Sequence, residues 1–338
     1  MRPRFIVPLI AILAIMLVYR VFWRGAHEPL VVYCAHDSIY ADGIIRQFEK
    51  ETGIAVAIRY DTEATKSLGL VELLIREKAA PRCDVFWNNE LLGTMDLMEQ
   101  GMLQPYEGPG YRRIPAAFKD PGGSWCGFAA RMRVYIVNTK KLAPREDTIA
   151  KVLSGDLSRV AIAKPLYGTT LTHYTVLWET MGRDGITAWH QDLLKRGIRT
   201  VDGNSAVKDA VAQGVCDLGF TDTDDFFDAK DDGKPVAMVP VRLETGVTIC
   251  IPNTVSIIRG TRRAADAQRL VDYLLSGQTE MALARAKSRQ IPLGPVRDED
   301  LPAEVLELKK MSEKQYALAS LATAHAQCLA WLKSVYLQ

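Results

Sequence analysis

Apolar and polar positions alternate along the chain in two patterns, one typical of strands and one typical of helices. The order of the strand and helix segments predicts an α/β protein. Short apolar runs have the length of buried strands, and the segments between them show the three- and four-residue apolar spacing of helices. In the first part, strands are predicted at residues 30–35, 54–60 and 83–88, and helices at 38–51 and 65–78. This alternating order is typical of a parallel sheet covered by helices. Residues 105–123, rich in Gly and Pro, interrupt it.

A second α/β set follows this interruption. Its strands are predicted at residues 159–163, 199–201, 218–221, 236–241, 247–251 and 255–258, and two later helices at 261–276 and 278–287. Residues 303–336 are mainly helical, and no internal repeat is visible. Two α/β lobes of this kind bind a ligand beyond the carboxyl ends of their strands and close around it by a hinge motion. The residues directly after each strand are therefore the candidates for a site.

The N-terminus predicts export. Residues 5–23 form a 19-residue stretch that is apolar apart from Arg20, and Arg2 and Arg4 precede it. This length lies between that of a signal peptide and the about 20 residues of a spanning helix. We favour an uncleaved signal anchor, with a cleaved signal peptide as the alternative. The basic residues keep the N-terminus in the cytoplasm, so the body of the chain is exported.

Composition excludes several classes of protein. The 338 residues suggest two domains, and 48% hydrophobic with 24% charged residues are typical of a globular protein. The chain has 42 basic and 40 acidic residues, so it lacks the basic excess that would indicate a nucleic-acid partner. The chain has no CxxC, HExxH, P-loop or GxSxG motif, which removes the common zinc, nucleotide and serine-hydrolase readings. Six cysteines would permit disulfides after export, but their irregular spacing predicts no pairing.

Polar, small and hydroxyl-bearing residues follow the predicted strands. The candidate ligand-binding residues at these ends are His36, Thr65, Asn89, Gly168, Thr169, Thr170, Asn204, Ser205 and Asp222. Several of them open helices, where free backbone N–H groups and the helix dipole favour an anion. The segments 168–170 and 204–205 are the strongest candidates for an anion site. Such residues also cap helices without any ligand, and capping alone remains the alternative.

An acidic run follows the strand that ends at Thr221. Residues 217–232 contain seven aspartates, and Asp224 and Asp225 fall in the first turn after the strand. Carboxylates at this position suit a hard cation, the hydroxyl groups of a ligand, or an amine. An enzyme that uses this pair is a weaker alternative. Adjacent residues of a helix point about 100° apart, which is poor geometry for an opposed acid and base.

These segments resemble the family 1 extracellular solute-binding proteins, and in particular their ferric-iron-binding branch. The resemblance covers residues 30–295 and rests on the order of segments 32–90, 128–139, 165–170, 203–207, 220–225 and 290–292. It implies a monomeric subunit that delivers its ligand to an ABC importer permease, and a two-lobed type II periplasmic-binding fold with crossovers near 128–138 and 242–256. The implied divisions are an anchor or signal (1–27), lobe 1 (28–128 and 246–300), lobe 2 (129–245) and a C-terminal helical extension (301–338).

The chain departs from this branch at the metal site. Ferric-binding relatives place two adjacent tyrosines where Asp224 and Asp225 stand here, and the relatives' histidine and glutamate correspond to His36 and Glu90 only within about one residue. The implied metal ligands are Asp224, Asp225, His36 and Glu90, with Fe(III) or another metal ion as the transported ion, alone or with a synergistic anion, and no permanent cofactor. A phosphorylated or phosphonate organic solute remains an alternative ligand. A membrane-anchored sensor or adaptor is an alternative function, which exposed apolar residues on the last helix would support.

Overall fold

The computed structural model describes residues 28–61 and 68–337. The predicted anchor at residues 1–27 and the candidate ligand residue Thr65 lie outside these ranges. Within them, no helix is both long and apolar enough to cross a membrane.

The first part of the fold has the predicted alternation of strands and helices. Its elements are β1 (Leu30–Cys34), α1 (Ser38–Thr52), β2 (Val56–Tyr60), α2 (Leu68–Arg76), β3 (Val85–Asn88), α3 (Leu92–Glu99), β4 (Leu103–Gln104) and α4 (Pro109–Arg113). β1 lies between β2 and β3 and is parallel to both. α1 buries Ala41, Ile44, Ile45 and Phe48, the spacing of one helix face. Burying each of the larger side chains contributes about 1.5–3 kcal/mol. The helix ends at Gly53, whose φ of 70° suits glycine.

The second part repeats this arrangement. Its elements are β5 (Cys126–Asn138), α5 (Glu146–Leu153), β6 (Val160–Ala163), α6 (Gly168–Lys195), β7 (Arg199–Val201), α7 (Asn204–Ala212), β8 (Leu218–Asp222), α8 (Thr223–Asp231) and β9 (Val236–Pro240). β6 lies between β7 and β8 and is parallel to both. The helical course of α6 is broken at Gly182, where φ is 71° and ψ is 168°.

Two long strands that run antiparallel to their neighbours join the parts, so the complete sheet is mixed. β5 is antiparallel to β10 (Cys250–Ile258) up to Met132 and antiparallel to β8 from Arg133 onward. The chain therefore passes from one part to the other between these two residues. The prediction of separate strands at 247–251 and 255–258 was wrong, because β10 is continuous. Pro252 and Asn253 look like a turn in the sequence, but they are buried at a register shift within the strand.

The C-terminal residues pack against the body. They form α9 (Ala264–Leu274), α10 (Gly277–Arg285), α11 (Ala303–Met311) and α12 (Ala322–Tyr336). α12 contacts α6 in the second part and α3 in the first, and it buries Ala324, His325, Cys328 and Leu332. Val335, on the same helix, is 41% exposed, so α12 offers little apolar surface for the partner contacts that an adaptor would need. All six cysteines are buried and free, so the disulfides that export would permit are not formed.

Candidate ligand-binding site

The polar ends of five strands meet in one pocket between the two parts of the fold. This strand-end pocket has a volume of about 60 Å³. Its lining residues are Asp37, Asn89, Arg131, Ala163, Lys164, Tyr167, Gly168, Thr169, Thr170, Gly203, Asn204, Ser205, Asp222, Asp224 and Asp225. Asp37 and Asn89 follow β1 and β3, whereas the residues from position 163 onward lie at the ends of β6, β7 and β8 or shortly after them. The parallel order of the strands places these ends together, as open α/β sheets do.

Three helices begin at this pocket. α6 starts at Gly168, α7 at Asn204 and α8 at Thr223. The first N–H groups of a helix have no partner within the helix, and the dipole makes this end electropositive. Gly168 has a φ of 59°, a conformation that glycine adopts without strain. The structure thus brings together both segments that the sequence predicts as an anion site.

Arg133 is a central residue that the sequence analysis missed. It is fully buried, and its Nη1 lies 2.7 Å from Asp222 Oδ1. Asp222 Oδ2 accepts hydrogen bonds from Thr169 Oγ1 at 2.5 Å and from Asn204 Nδ2 at 2.9 Å. Both oxygens of Asp222 are therefore bonded, and its charge is balanced. The signal in the sequence was two arginines, at 131 and 133, on one face of an otherwise apolar run.

Asp224 and Asp225 present the remaining carboxylates. Asp225 Oδ2 accepts a hydrogen bond from Thr221 Oγ1 at 2.8 Å, and its Oδ1 accepts one from Ser205 Oγ at 3.3 Å. The side chain of Asp224 is 13% exposed, and its Oδ2 lies 3.7 Å from Arg131 Nε. One carboxylate oxygen from each of Asp222, Asp224 and Asp225 lies within 4.8 Å of the other two. This spacing is compatible with a single metal ion.

Charged side chains of both signs line the pocket. Among the described lining residues, the acidic ones are Asp37, Asp222, Asp224 and Asp225, and the basic ones are Arg131 and Lys164. Arg133 balances Asp222, and Lys164 is paired with Asp202 at 2.8 Å, outside the lining. Arg131 is buried, lies 3.7 Å from Asp224 and donates a hydrogen bond to the carbonyl of Asn89. The described lining therefore offers carboxylate oxygens to a cation and basic groups to an anion.

His36 and Glu90 lie outside the lining. Glu90 accepts hydrogen bonds from the backbone N–H groups of Leu92 and Gly93 at 2.5 and 2.9 Å, so it caps α3. Burial raises the pKa of Glu90 above its ordinary value. His36 Nε2 lies 3.1 Å from Gln290 Nε2, and its ring is 5.4 Å from that of Trp87. The structure therefore does not place these two residues with Asp224 and Asp225.

Tyr40 on α1 is a second residue that the sequence analysis did not single out. Burial, and then the negative charge of Asp224, raises the pKa of its phenol above the ordinary value. The first part of the fold thus brings a phenol near the acidic residues of the second part. Its position, three residues after Asp37, gave no signal in the sequence beyond an aromatic residue in a helix.

Comparison with known proteins identifies the family. The family model described as bacterial extracellular solute-binding protein matches residues 30–286. The chain belongs to this family. The Fe(3+)-binding periplasmic protein of Serratia marcescens is 24% identical over 214 residues, which is 62% of this chain and 62% of the relative. The alignment thus spans less than two thirds of that relative's length. The predicted resemblance to this family and its ferric-binding members is confirmed.

Solved structures of binding proteins share the fold. Iron-bound HitA from Pseudomonas aeruginosa superposes with a TM-score of 0.79 at 20% identity, covering 91% of this chain and 99% of that one. AfuA from Actinobacillus pleuropneumoniae, with fructose-6-phosphate bound, gives a TM-score of 0.74 at 18% identity, covering 90% and 98%. At these identities the comparisons show the mixed α/β fold. They leave the ligand to be argued from the pocket.

Proposed function

We propose that this protein is the solute-capture subunit of a bacterial ABC importer and that its strand-end pocket binds Fe(III). In this proposal the two parts of the fold are the lobes of a type II binding protein, and residues 1–27 hold it on the periplasmic side of the inner membrane. Asp224 and Asp225 are the metal ligands that the pocket supplies. The observation that carries the proposal is the convergence of one carboxylate oxygen each from Asp222, Asp224 and Asp225 to within 4.8 Å of one another in this pocket.

The size of the pocket favours an ion over a larger solute. Its volume is about 60 Å³. Pockets for drug-sized organic ligands measure roughly 300–1,000 Å³. Carboxylate oxygens are hard ligands and suit a hard cation such as Fe(III). The similarity to the iron-binding proteins of Serratia marcescens and Pseudomonas aeruginosa supports the same choice.

An accompanying anion would complete the coordination of the metal. Two aspartates leave several positions of a six-coordinate ion open. The first turns of α6 and α7, which begin at Gly168 and Asn204, flank the pocket with their electropositive ends. Thr170 and Ser205 add hydroxyl groups to the lining. We therefore place a small oxyanion between these helix ends and the metal.

A phosphorylated organic solute is the second candidate. It is favoured by the presence of Arg131 and Lys164 in the same lining as the helix ends, since these cations suit a phosphate group. Asp224 and Asp225 would then bind hydroxyl groups at the other end of the solute. The similarity to AfuA, solved with fructose-6-phosphate, supports this candidate.

Competition titration with an Fe(III) chelate tests the proposal. Asp224→Asn and Asp225→Asn should each weaken Fe(III) binding by at least about tenfold, which corresponds to about 1.4 kcal/mol. Asp232→Asn is the matched control, because this exposed aspartate lies just after α8 and outside the pocket. Unchanged affinity in both pocket variants would remove the carboxylates from the site. Tight binding of fructose-6-phosphate by metal-free protein would favour the second candidate instead.

A further inference from the structure

Thr221 is a fully buried hydroxyl residue near the end of β8, directly before the acidic turn. Its Oγ1 donates a hydrogen bond to Asp225 Oδ2 at 2.8 Å, whereas the carbonyl oxygen of Asn204 lies farther away, at 3.4 Å. A hydrogen bond that ends on a carboxylate is charge-assisted and stronger than one that ends on a neutral carbonyl. The single proton of this hydroxyl is therefore used for Asp225.

The sheet fixes the position of this hydroxyl. Thr221 pairs with Val134 of the antiparallel strand β5, and its neighbour Phe220 pairs with Ile162 of the parallel strand β6. The backbone of β8 is thus held from both sides, and the β-branched side chain of threonine has few accessible rotamers. The donor that Thr221 offers to Asp225 is therefore in place whether or not the pocket holds a ligand.

Asp225 is held by two elements of the second part of the fold. Thr221 on β8 donates to its Oδ2, and Ser205 on α7 donates to its Oδ1 at the longer distance of 3.3 Å. Asp225 also contributes one of the three carboxylate oxygens that lie within 4.8 Å of one another. The orientation of this carboxylate thus depends on hydroxyl groups that are not metal ligands in the proposed site.

A fixed carboxylate binds a metal ion more tightly than a mobile one. A mobile side chain loses rotamer freedom when it coordinates an ion, and this loss lowers the affinity. Removing a hydrogen-bond partner that orients a metal ligand typically lowers the affinity for the metal by about 10- to 100-fold. Thr221 has the burial and the short hydrogen bond expected of such a partner.

We propose that Thr221 is a positioning residue for metal binding in the strand-end pocket and acts by fixing the carboxylate of Asp225. This inference rests on the proposed function, in which Asp225 is a ligand of Fe(III), and it adds the residue that prepares this ligand before the ion arrives. The alternative is a purely structural role. Asp225 lies in the first turn of α8, where an acidic side chain stabilises the start of a helix. The bond to Thr221 would then support α8 alone.

A double-mutant cycle distinguishes these roles. Fe(III) affinity is measured by competition with Fe(III)–nitrilotriacetate, using the full chain in lipid nanodiscs. We expect Thr221→Val to weaken Fe(III) binding by about 10- to 100-fold in the wild-type background. In the Asp225→Ala background the same change should alter the affinity by about twofold or less, because the partner of the hydroxyl is absent.

Three further variants complete the experiment, and urea unfolding checks that each is folded. Thr221→Ser keeps the hydroxyl and should bind Fe(III) nearly as tightly as the wild type. Thr221→Ala is a second way to remove the hydroxyl and should behave as Thr221→Val does. Thr175→Val is the matched control, because this fully buried threonine donates to the carbonyl of Leu171 at 2.9 Å and lies outside the pocket lining. Its Fe(III) affinity should equal that of the wild type.

Two results would overturn the role of Thr221 while leaving the proposed function intact. One is wild-type affinity in folded Thr221→Val and Thr221→Ala when Asp225→Ala has lost affinity, which would show that the hydrogen bond only supports α8. The other is an equal loss from Thr221→Val in both backgrounds, since Thr221 would then not act through Asp225. If Asp225→Ala binds Fe(III) as tightly as the wild type, or the wild type does not bind it, the proposed function itself fails, and the role of Thr221 fails with it.

Discussion

The pairing of Arg133 with Asp222 makes a strong prediction about stability. Arg133→Met replaces the arginine in β5 with an unbranched apolar side chain and so removes the guanidinium. Asp222 would then remain as a carboxylate whose side chain is 5% exposed, with Thr169 and Asn204 as its remaining hydrogen-bond donors. We expect this variant to be strongly destabilised, because a buried charge would lose its partner.

The expected magnitude follows from the geometry. Arg133 is fully buried, and its Nη1 lies 2.7 Å from Asp222 Oδ1, so water does not screen the pair. Breaking such a pair on one side costs about 3–5 kcal/mol. The double variant Arg133→Met with Asp222→Asn removes both charges and should recover about 0.5–3 kcal/mol of this loss, the usual range for coupled residues.

Urea unfolding followed by circular dichroism measures both values. Arg145→Met serves as a control, since its pair with Asp147 is exposed (68% and 70%) and its loss should leave the unfolding midpoint unchanged. A loss below about 1 kcal/mol in Arg133→Met would contradict the reasoning. A double variant less stable than the single one would show that Arg133 acts through packing rather than through the charge of Asp222.

Three further predictions concern other buried groups. Because burial raises the pKa of Glu90 above 4.5, its contribution to stability should fall as the pH rises above 4.5. Glu90→Gln should flatten this part of the curve of unfolding free energy against pH, measured by urea unfolding. An unchanged curve would refute this. Because burial lowers the pKa of His173 from 6.5 to about 3, its contribution is complete above pH 6.5 and is lost as the pH falls towards 3. His173→Phe should therefore lessen acid destabilisation, and an equally acid-sensitive variant would speak against it. Finally, Ellman's reagent should find no reactive thiol in the native protein and six after unfolding, because all six cysteines are buried and free. Fewer than six thiols after unfolding would indicate a disulfide.

The local elements of the fold could be predicted because their apolar periodicity is strong. α1 and β1 to β3 lie within a few residues of the predicted bounds, as do β6 to β9. The joining strands β5 and β10 could not be predicted from the same pattern. Their centres contain Arg133, Pro252 and Asn253, polar or turn-forming residues that are buried only because the two parts of the sheet meet there.

On the first part of the fold, the pocket lining contains one of the expected ligand-binding residues, Asn89. The expected metal ligands His36 and Glu90 lie outside the lining, and Asp37, the neighbour of His36, lies in it. A shift of one residue near the end of a strand moves the side chain to the opposite face of the sheet. No local pattern in this sequence determines which of two neighbouring residues faces the pocket. The residues at the ends of β6, β7 and β8 lie together in one pocket, as expected from the helices that begin directly after these strands.

Native mass spectrometry of the protein purified from cells without added ligand tests the central claim most directly. A metal ion held by Asp224 and Asp225 predicts a mass excess equal to one iron, alone or with a small anion, which disappears after treatment with a chelator. An excess of a few hundred daltons that resists the chelator and releases phosphate on fragmentation would contradict the iron assignment.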